Sequence, residues 1–247
     1  MTKKRNHEKT APQAESADGA SLEARAYAAL RDILIQGGFP PGEKLSIRRI
    51  ATALGVSPMP ARAALRRLAA ERCLDLGPNG SAFVPLITRD AYREIMRIRT
   101  LIEPVAAADA APRLTKADIA ALEQIADAAR AARAAGDEDG YRRGDRLLHQ
   151  RYYAAAGQPL LLAMIESLWM RRSAVLAMAR PIMPGRPDAD DHQALLAAAK
   201  AGDGEAAAAA ARREIEASAA FVLARVHFPE DPMPPAAGWK KLKRIAL

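Results

Sequence analysis

The chain of 247 residues has one cysteine, Cys73. A single cysteine excludes an internal disulfide and any multi-cysteine zinc cluster. Aromatic residues are scarce, at 4% of the sequence. The apolar half of the composition is therefore mostly aliphatic, with alanine dominant. Alanine is the best helix former, so the balance leans to helix. No segment approaches the roughly 20 uninterrupted apolar residues that cross a bilayer. Met1 to Ser21 is polar and lacks the apolar core of a secretory leader. Together these absences predict a soluble cytoplasmic protein with no membrane partner. Also missing are a Gly-rich phosphate loop, a nucleophile elbow and an H-E-x-x-H pair, so the common sequence marks of an enzyme are absent.

What is present is cationic charge, and its position matters more than its total of +8. Residues 22–86 hold nine Lys/Arg against five Asp/Glu, whereas residues 87–228 hold twenty against nineteen. A cation surplus confined to a small N-terminal module suits a polyanion such as DNA.

Apolar spacing and breakers divide the chain into four parts. Residues 1–20 form a polar tail expected to be disordered. Leu22 to Gln36 has helical periodicity and ends at Gly37-Gly38 and Pro40-Pro41-Gly42. Short helices follow at roughly 46–54 and 58–71, around Gly55-Val56-Ser57. Apolar stretches on either side of Gly77-Pro78-Asn79-Gly80 then read as a β-hairpin. This places a winged helix-turn-helix, three helices plus a hairpin wing, at 21–86. Residues 88–228 read as an all-helical antiparallel bundle, with helices near 89–111, 116–135, 138–156, 159–180, 189–201 and 203–227. Thr115 and Asp118 have capping-box spacing. Residues 229–247 form a Pro-rich and then basic tail. The fold class is mainly α.

Two short helices joined by a tight glycine-containing turn make a helix-turn-helix, whose second helix enters the major groove with its N-terminal part. Gly55 suits a positive φ, and Ser57 suits the N-cap of the second helix with Pro58 after it. Pro60 has no N–H, which leaves the Ser57 hydroxyl either on Met59 or free for a phosphate. Arg62 lies off the Ala61/Leu65/Leu68 core stripe, and arginine can bond guanine O6 and N7 together. Arg66 and Arg67 are placed for phosphates, while Arg48 and Arg49 on the preceding helix can meet the backbone or reach the groove edge. Gly80 marks the wing tip.

Residues 37–84, "GGFPPGEKLSIRRIATALGVSPMPARAALRRLAAERCLDLGPNGSAFV", strongly resemble the GntR family of winged-helix repressors. The resemblance rests on the PPG-x-x-L element, LGVS, P-x-R-x-AL-x-x-L, and the Gly80 to Val84 close, all in order. It implies a homodimer on a short palindromic double-stranded operator, with contacts from Arg48, Ser57, Met59, Pro60, Arg62 and Gly80. Many members carry arginine where this chain has Pro58, which implies a different operator preference.

Residues 88–228 resemble the FCD ligand domain of the FadR-like branch through "IMRIRTLIEPVAAADAA", Asp145-x-x-x-His149 and "DHQALLAAAKAGDGEAA". Asp145 and His149 share one helical face and can give two ligands to a divalent cation. His192 is a third candidate. Relatives carry another histidine 22 positions further on, where this chain has Glu214. Two carboxylates among four ligands make a harder set, which moves preference from zinc towards manganese, iron or nickel. The bland reading is a helix cap or salt bridge at Asp145 and a core histidine at 149.

Arg99 and Glu103, four apart, either form a helix-surface pair or place a cation in an effector cavity suited to a carboxylate. Tyr152, Trp169 and Arg172 are further candidates for that lining. The helix starting near Thr88 joins both domains and is the expected carrier of any signal. The expected function is a DNA-binding regulator, by family habit a repressor, modulated by a small carboxylate. Two other readings stay open. One is a metal-dependent helical enzyme with a DNA-binding appendage, the other an effector-independent architectural protein.

Overall fold

The structure is a computed structural model that describes residues 14–77, 81–182 and 191–230 of the chain. Helix α1 spans Ala14–Ile35. It begins eight residues before Leu22, so the polar tail expected to be disordered up to residue 20 is in fact helical from Ala14 onward. Alanine, serine and glutamate there are compatible with helix, and the one interior glycine, Gly19, costs only about 1 kcal/mol relative to alanine. Ala26, Leu30 and Leu34 are the buried stripe of this helix.

Strand β1 (Lys44–Leu45), helix α2 (Ile47–Leu54), helix α3 (Pro58–Ala70) and strands β2 (Asp75–Leu76) and β3 (Ala82–Phe83) complete the module. β2 and β3 pair antiparallel as the expected hairpin, with Leu76 opposite Ala82. The sequence reading missed β1, which adds to β3 and gives a three-stranded sheet of order β1-β3-β2. Its two residues are too short a run to show alternation. Gly55 caps α2 in the left-handed region at φ +64, and the Val56 N–H reaches back to the Ala51 carbonyl at 3.0 Å. A side chain at this position would strain the turn.

The second part consists of α4 (Arg89–Ala110), a 3-10 turn (Ala111–Arg113), α5 (Lys116–Ala134), α6 (Glu138–Ala154), α7 (Pro159–Ala179), α8 (Asp191–Ala201) and α9 (Gly204–Arg225). The capping box at Thr115/Asp118 forms in both directions. α4 packs on α9, α6 and α7, and α5 packs on α6. Ala106, Ala107 and Ala110 of α4 and Ala207, Ala210 and Ala211 of α9 are all buried. Such small side chains let helix backbones approach closely while excluding water. After α9 the chain turns back onto α4. Phe228 is fully buried with its ring 5.8 Å from that of Tyr92, and Arg89 donates to the Leu223 carbonyl at 2.7 Å. Among the described residues no helix is long and apolar enough to cross a membrane.

Candidate metal centre and nucleic-acid interface

The start of α3 presents an open polar face. Ala61, Ala64, Leu65 and Leu68 are buried against the module, while Ser57, Arg62 and Arg66 are exposed. Met59 is 76% exposed, an apolar side chain with nothing of its own fold to cover it. The Ser57 hydroxyl makes no capping hydrogen bond, as expected where Pro60 removes a backbone donor. Arg48 and Arg49 of α2 are also exposed. None of these four arginines has a carboxylate partner among the described residues. Arg67 differs from them. Its guanidinium lies 3.8 Å over the Tyr27 ring and donates to Glu71 at 3.1 Å, so although exposed it is tied to α1 and to its own helix. Gly80 lies outside the described residues.

In the helical domain, α6 carries Asp145 and His149 on one face, α8 supplies His192 and α9 supplies Glu214. One donor atom from each falls within 4.8 Å of all the others. His149 Nδ1 donates to the Asp145 backbone carbonyl at 2.8 Å, which turns Nε2 towards Glu214, also at 2.8 Å. His192 Nε2 lies 3.0 Å from Asp145 Oδ1. Burial disfavours the His149 cation, but the charge and hydrogen bond of Glu214, helped by Asp145, outweigh it and hold the imidazole up at about 10. Burial likewise opposes ionisation of Asp145, yet the His192 hydrogen bond and the charge of His149 hold it well below the usual carboxylate range. Glu214 is lowered despite burial, chiefly by the charge of His149. Without a cation the cluster is thus a His149–Glu214 ion pair beside a His192–Asp145 hydrogen bond. With one, the His149 proton must leave. Two carboxylates and two imidazoles converging from three helices fit a divalent cation of the first transition row.

A cavity of about 70 Å³ opens beside the cluster, room for several water-sized groups at roughly 10–15 Å³ each. Arg99, Glu103, Tyr153, Trp169 and Arg172 line it. Arg99 is not the free cation that an anionic ligand needs. Its Nε and Nη2 grip Glu103 at 2.5 and 3.1 Å, and Trp169 Nε1 donates to the same carboxylate at 3.0 Å. Both partners are buried, so the surface-pair alternative is also corrected. Arg172 makes no hydrogen bond or ion pair with a carboxylate among the described residues. Its Nε has no hydrogen-bond partner, and burial with the neighbouring Arg99 pulls it down to about 10, still charged at neutral pH. Tyr152 is a further correction. It is fully buried away from the cavity and donates to the Leu195 carbonyl at 3.2 Å. Tyr153 takes its place, because positions 145, 149 and 153 repeat every four residues and share a helical face.

Residues 94–217 match the FCD domain family, and residues 22–84 match the bacterial regulatory proteins of the gntR family. The HTH-type transcriptional regulator McbR of Escherichia coli (strain K12) is 34% identical over 71% of this chain and 81% of that protein. The chain belongs to the GntR family, with an FCD effector-binding domain. The solved structure of E. coli McbR/YncC superposes with a TM-score of 0.76 at 29% identity, covering 81% of this chain and 96% of that one. A probable D-xylose utilization operon transcriptional repressor of Paenarthrobacter nicotinovorans is 27% identical over 80% of this chain and 88% of its own length. A putative GntR regulator from Rhodococcus sp. RHA1 shares the fold, with a TM-score of 0.68 over 84% of this chain and all of that one. The protein is therefore a DNA-binding transcription regulator, and the enzyme reading falls with the family assignment.

In this family member all four metal candidates come together, as do Arg99, Glu103 and Arg172 around one cavity. Sequence reasoning missed Tyr141, Arg142, Arg146 and Gln36 in the lining. Arg142 and Arg146 were accessible to the same helical-face argument as Tyr153. Gln36 was not, because its approach depends on how the two domains pack.

Proposed function

We propose that this protein is a cytoplasmic, homodimeric repressor that reads a two-fold-symmetric operator and releases or tightens on it in response to a small carboxylate anchored on a divalent metal. The DNA face comprises Arg48, Arg49, Ser57, Met59, Pro60, Arg62, Arg66 and the wing tip at Gly80. Arg62 reads a base, Met59 offers apolar contact to a thymine methyl, and the remaining cations meet phosphates. One short recognition helix spans too few base pairs for a genome-scale search, so half-sites must be paired through a dimer. Leu101 and Val105 on α4 and Leu160 and Met164 on α7 are exposed apolar side chains that a second copy would cover.

Asp145, His149, His192 and Glu214 would hold manganese, iron, nickel or zinc, which supplies a fixed positive charge for the effector. The observation that carries this reading is the convergence of those four donors beside Arg172, a half-buried residue whose Nε is enclosed without a hydrogen-bond partner among the described residues. A carboxylate spanning metal and Arg172 satisfies both, with Tyr153 and Trp169 as walls.

Elemental analysis of the full-length protein after incubation with each metal tests the centre. About one equivalent per chain is expected in the wild type and none in the His149→Ala/His192→Ala double variant. Metal-free protein in every case, with operator binding unaffected by chelator, would overturn the metal-anchored mechanism. Light scattering that finds only monomer, free and on DNA, would overturn the dimer.

A further inference from the structure

The cavity beside the four donors is not closed by the helical domain alone. Ile35 and Gln36, at the C-terminal end of α1, line it together with Arg142, Asp145 and Arg172. Yet α1 is a core helix of the DNA-binding module and packs on α3. Its end is pressed onto α7. Gly37, at φ +68, sits so close that a Cβ there would lie 3.0 Å from the Ala177 nitrogen and 3.2 Å from the Ser173 carbonyl oxygen. The Gln36 side chain is half-buried and has no hydrogen-bond partner among the described residues.

Polar links run from the metal-donor helix to the same turns of α1. Arg146, next to Asp145, donates to Asp32 at 3.5 Å. Gln150, next to His149, donates to Glu166 at 2.6 Å, and Glu166 accepts from Arg31 at 3.1 Å. Each donor of α6 is thus followed by a residue tied to α1, directly or through one carboxylate.

We propose that the last turn of α1 forms one wall of the metal and effector site, with the Gln36 carboxamide facing the bound ligand. The Arg146–Asp32 and Gln150–Glu166–Arg31 links carry occupancy of that site into the DNA-binding module. This rests on reading the four-donor cluster as a metal centre. A ligand shifts an equilibrium only by its differential affinity for the two arrangements. A wall supplied by the DNA-binding module creates that difference directly, since an arrangement with α1 withdrawn loses the Gln36 contact and floods the cavity. The helix after the wing is then not the sole route between domains.

Hydrogen exchange on the full-length protein, with Mn²⁺ alone as the probe, tests this in two arms. Without metal, Arg146→Met and Asp32→Asn should each speed exchange in residues 31–36 by roughly tenfold, and unchanged exchange there overturns the links. With Mn²⁺, the wild type should gain protection in α6 and in residues 31–36, while the two variants gain it in α6 only. Protection of α6 without any at residues 31–36 in the wild type overturns the coupling. Gln36→Lys should weaken Mn²⁺ binding about tenfold by electrostatic repulsion, whereas Gln36→Glu should not. Equal, wild-type Mn²⁺ affinity in both removes Gln36 from the site. If Mn²⁺ protects nothing at all, it is the metal reading that fails, and the metal-free arm alone decides whether the links hold α1.

Discussion

Arg48, Arg49, Arg62 and Arg66 of the DNA-binding module stand exposed with no carboxylate partner among the described residues, whereas Arg99 and Arg172 of the helical domain line a cavity, Arg99 buried and Arg172 half-buried. The same side chain does two different jobs. Exposed cations act through solvent, are screened within about 10 Å at 0.1 M salt, and suit an extended polyanion arriving from outside. Enclosed cations act at short range in a low-dielectric setting, where each must be matched by a partner or by a ligand. Arg99 has its match in Glu103. Arg172 does not, and that difference points to where an anion would enter.

The sharpest way to break this contrast is Glu103→Gln, which strips the buried Arg99 of its counter-charge. A loss of about 3–5 kcal/mol in urea unfolding is expected, because an uncompensated buried charge is left behind. A loss below 1 kcal/mol would mean that Arg99 is in effect solvated.

The pH dependence of the chelator-treated protein probes the cluster. His149 is held at about 10, above the value of about 6.5 for a free imidazole. Its contribution to stability is therefore complete below about 6.5 and is lost as pH rises towards about 10. Asp145 and Glu214 are held down, so their contribution is present above their ordinary range near about 4 and is lost as pH falls below it through their depressed folded values. The Tm should fall between pH 7 and 10 more steeply in the wild type than in His149→Gln. Parallel curves would remove the His149–Glu214 ion pair from the account.

On the DNA side, Arg62→Ala should cost about 1–3 kcal/mol of operator affinity and relax preference at one base step. Fluorescence anisotropy against an operator and its single-base variants reads both, and unchanged preference would reassign Arg62 to the backbone. Arg66→Ala should have the smallest effect, a uniform weakening with the salt slope reduced by about 1. Arg67→Ala is the matched control. It is tied to Tyr27 and Glu71, so chemical denaturation should register the change while the salt slope of DNA binding stays put.

Helix periodicity, capping residues and breakers were enough to place all nine helices of the described residues within one or two positions, apart from the early start of α1. Four-residue spacing on α6 also showed that Asp145 and His149 share a face. The recognition face of α3 was readable because one helix defines it: Ala61, Leu65 and Leu68 face inward, and whatever lies between them faces out. Local order in the chain decided these features, since each depends on neighbours within a turn or two.

Other features depended on segments far apart in sequence. Arg99 could be read equally as a surface pair or as a cavity cation, and packing under Trp169 decided for a closed, buried pair. Tyr152 and Tyr153 are adjacent in the chain, and the rotation of α6 against α8 assigned one to the core and the other to the cavity. Four donors on α6, α8 and α9 meet only because the bundle brings those helices to one point. Gln36 reaches that point from another domain. Sequence encodes which face of each helix is apolar, but the distance between two faces is set by how all of them pack at once.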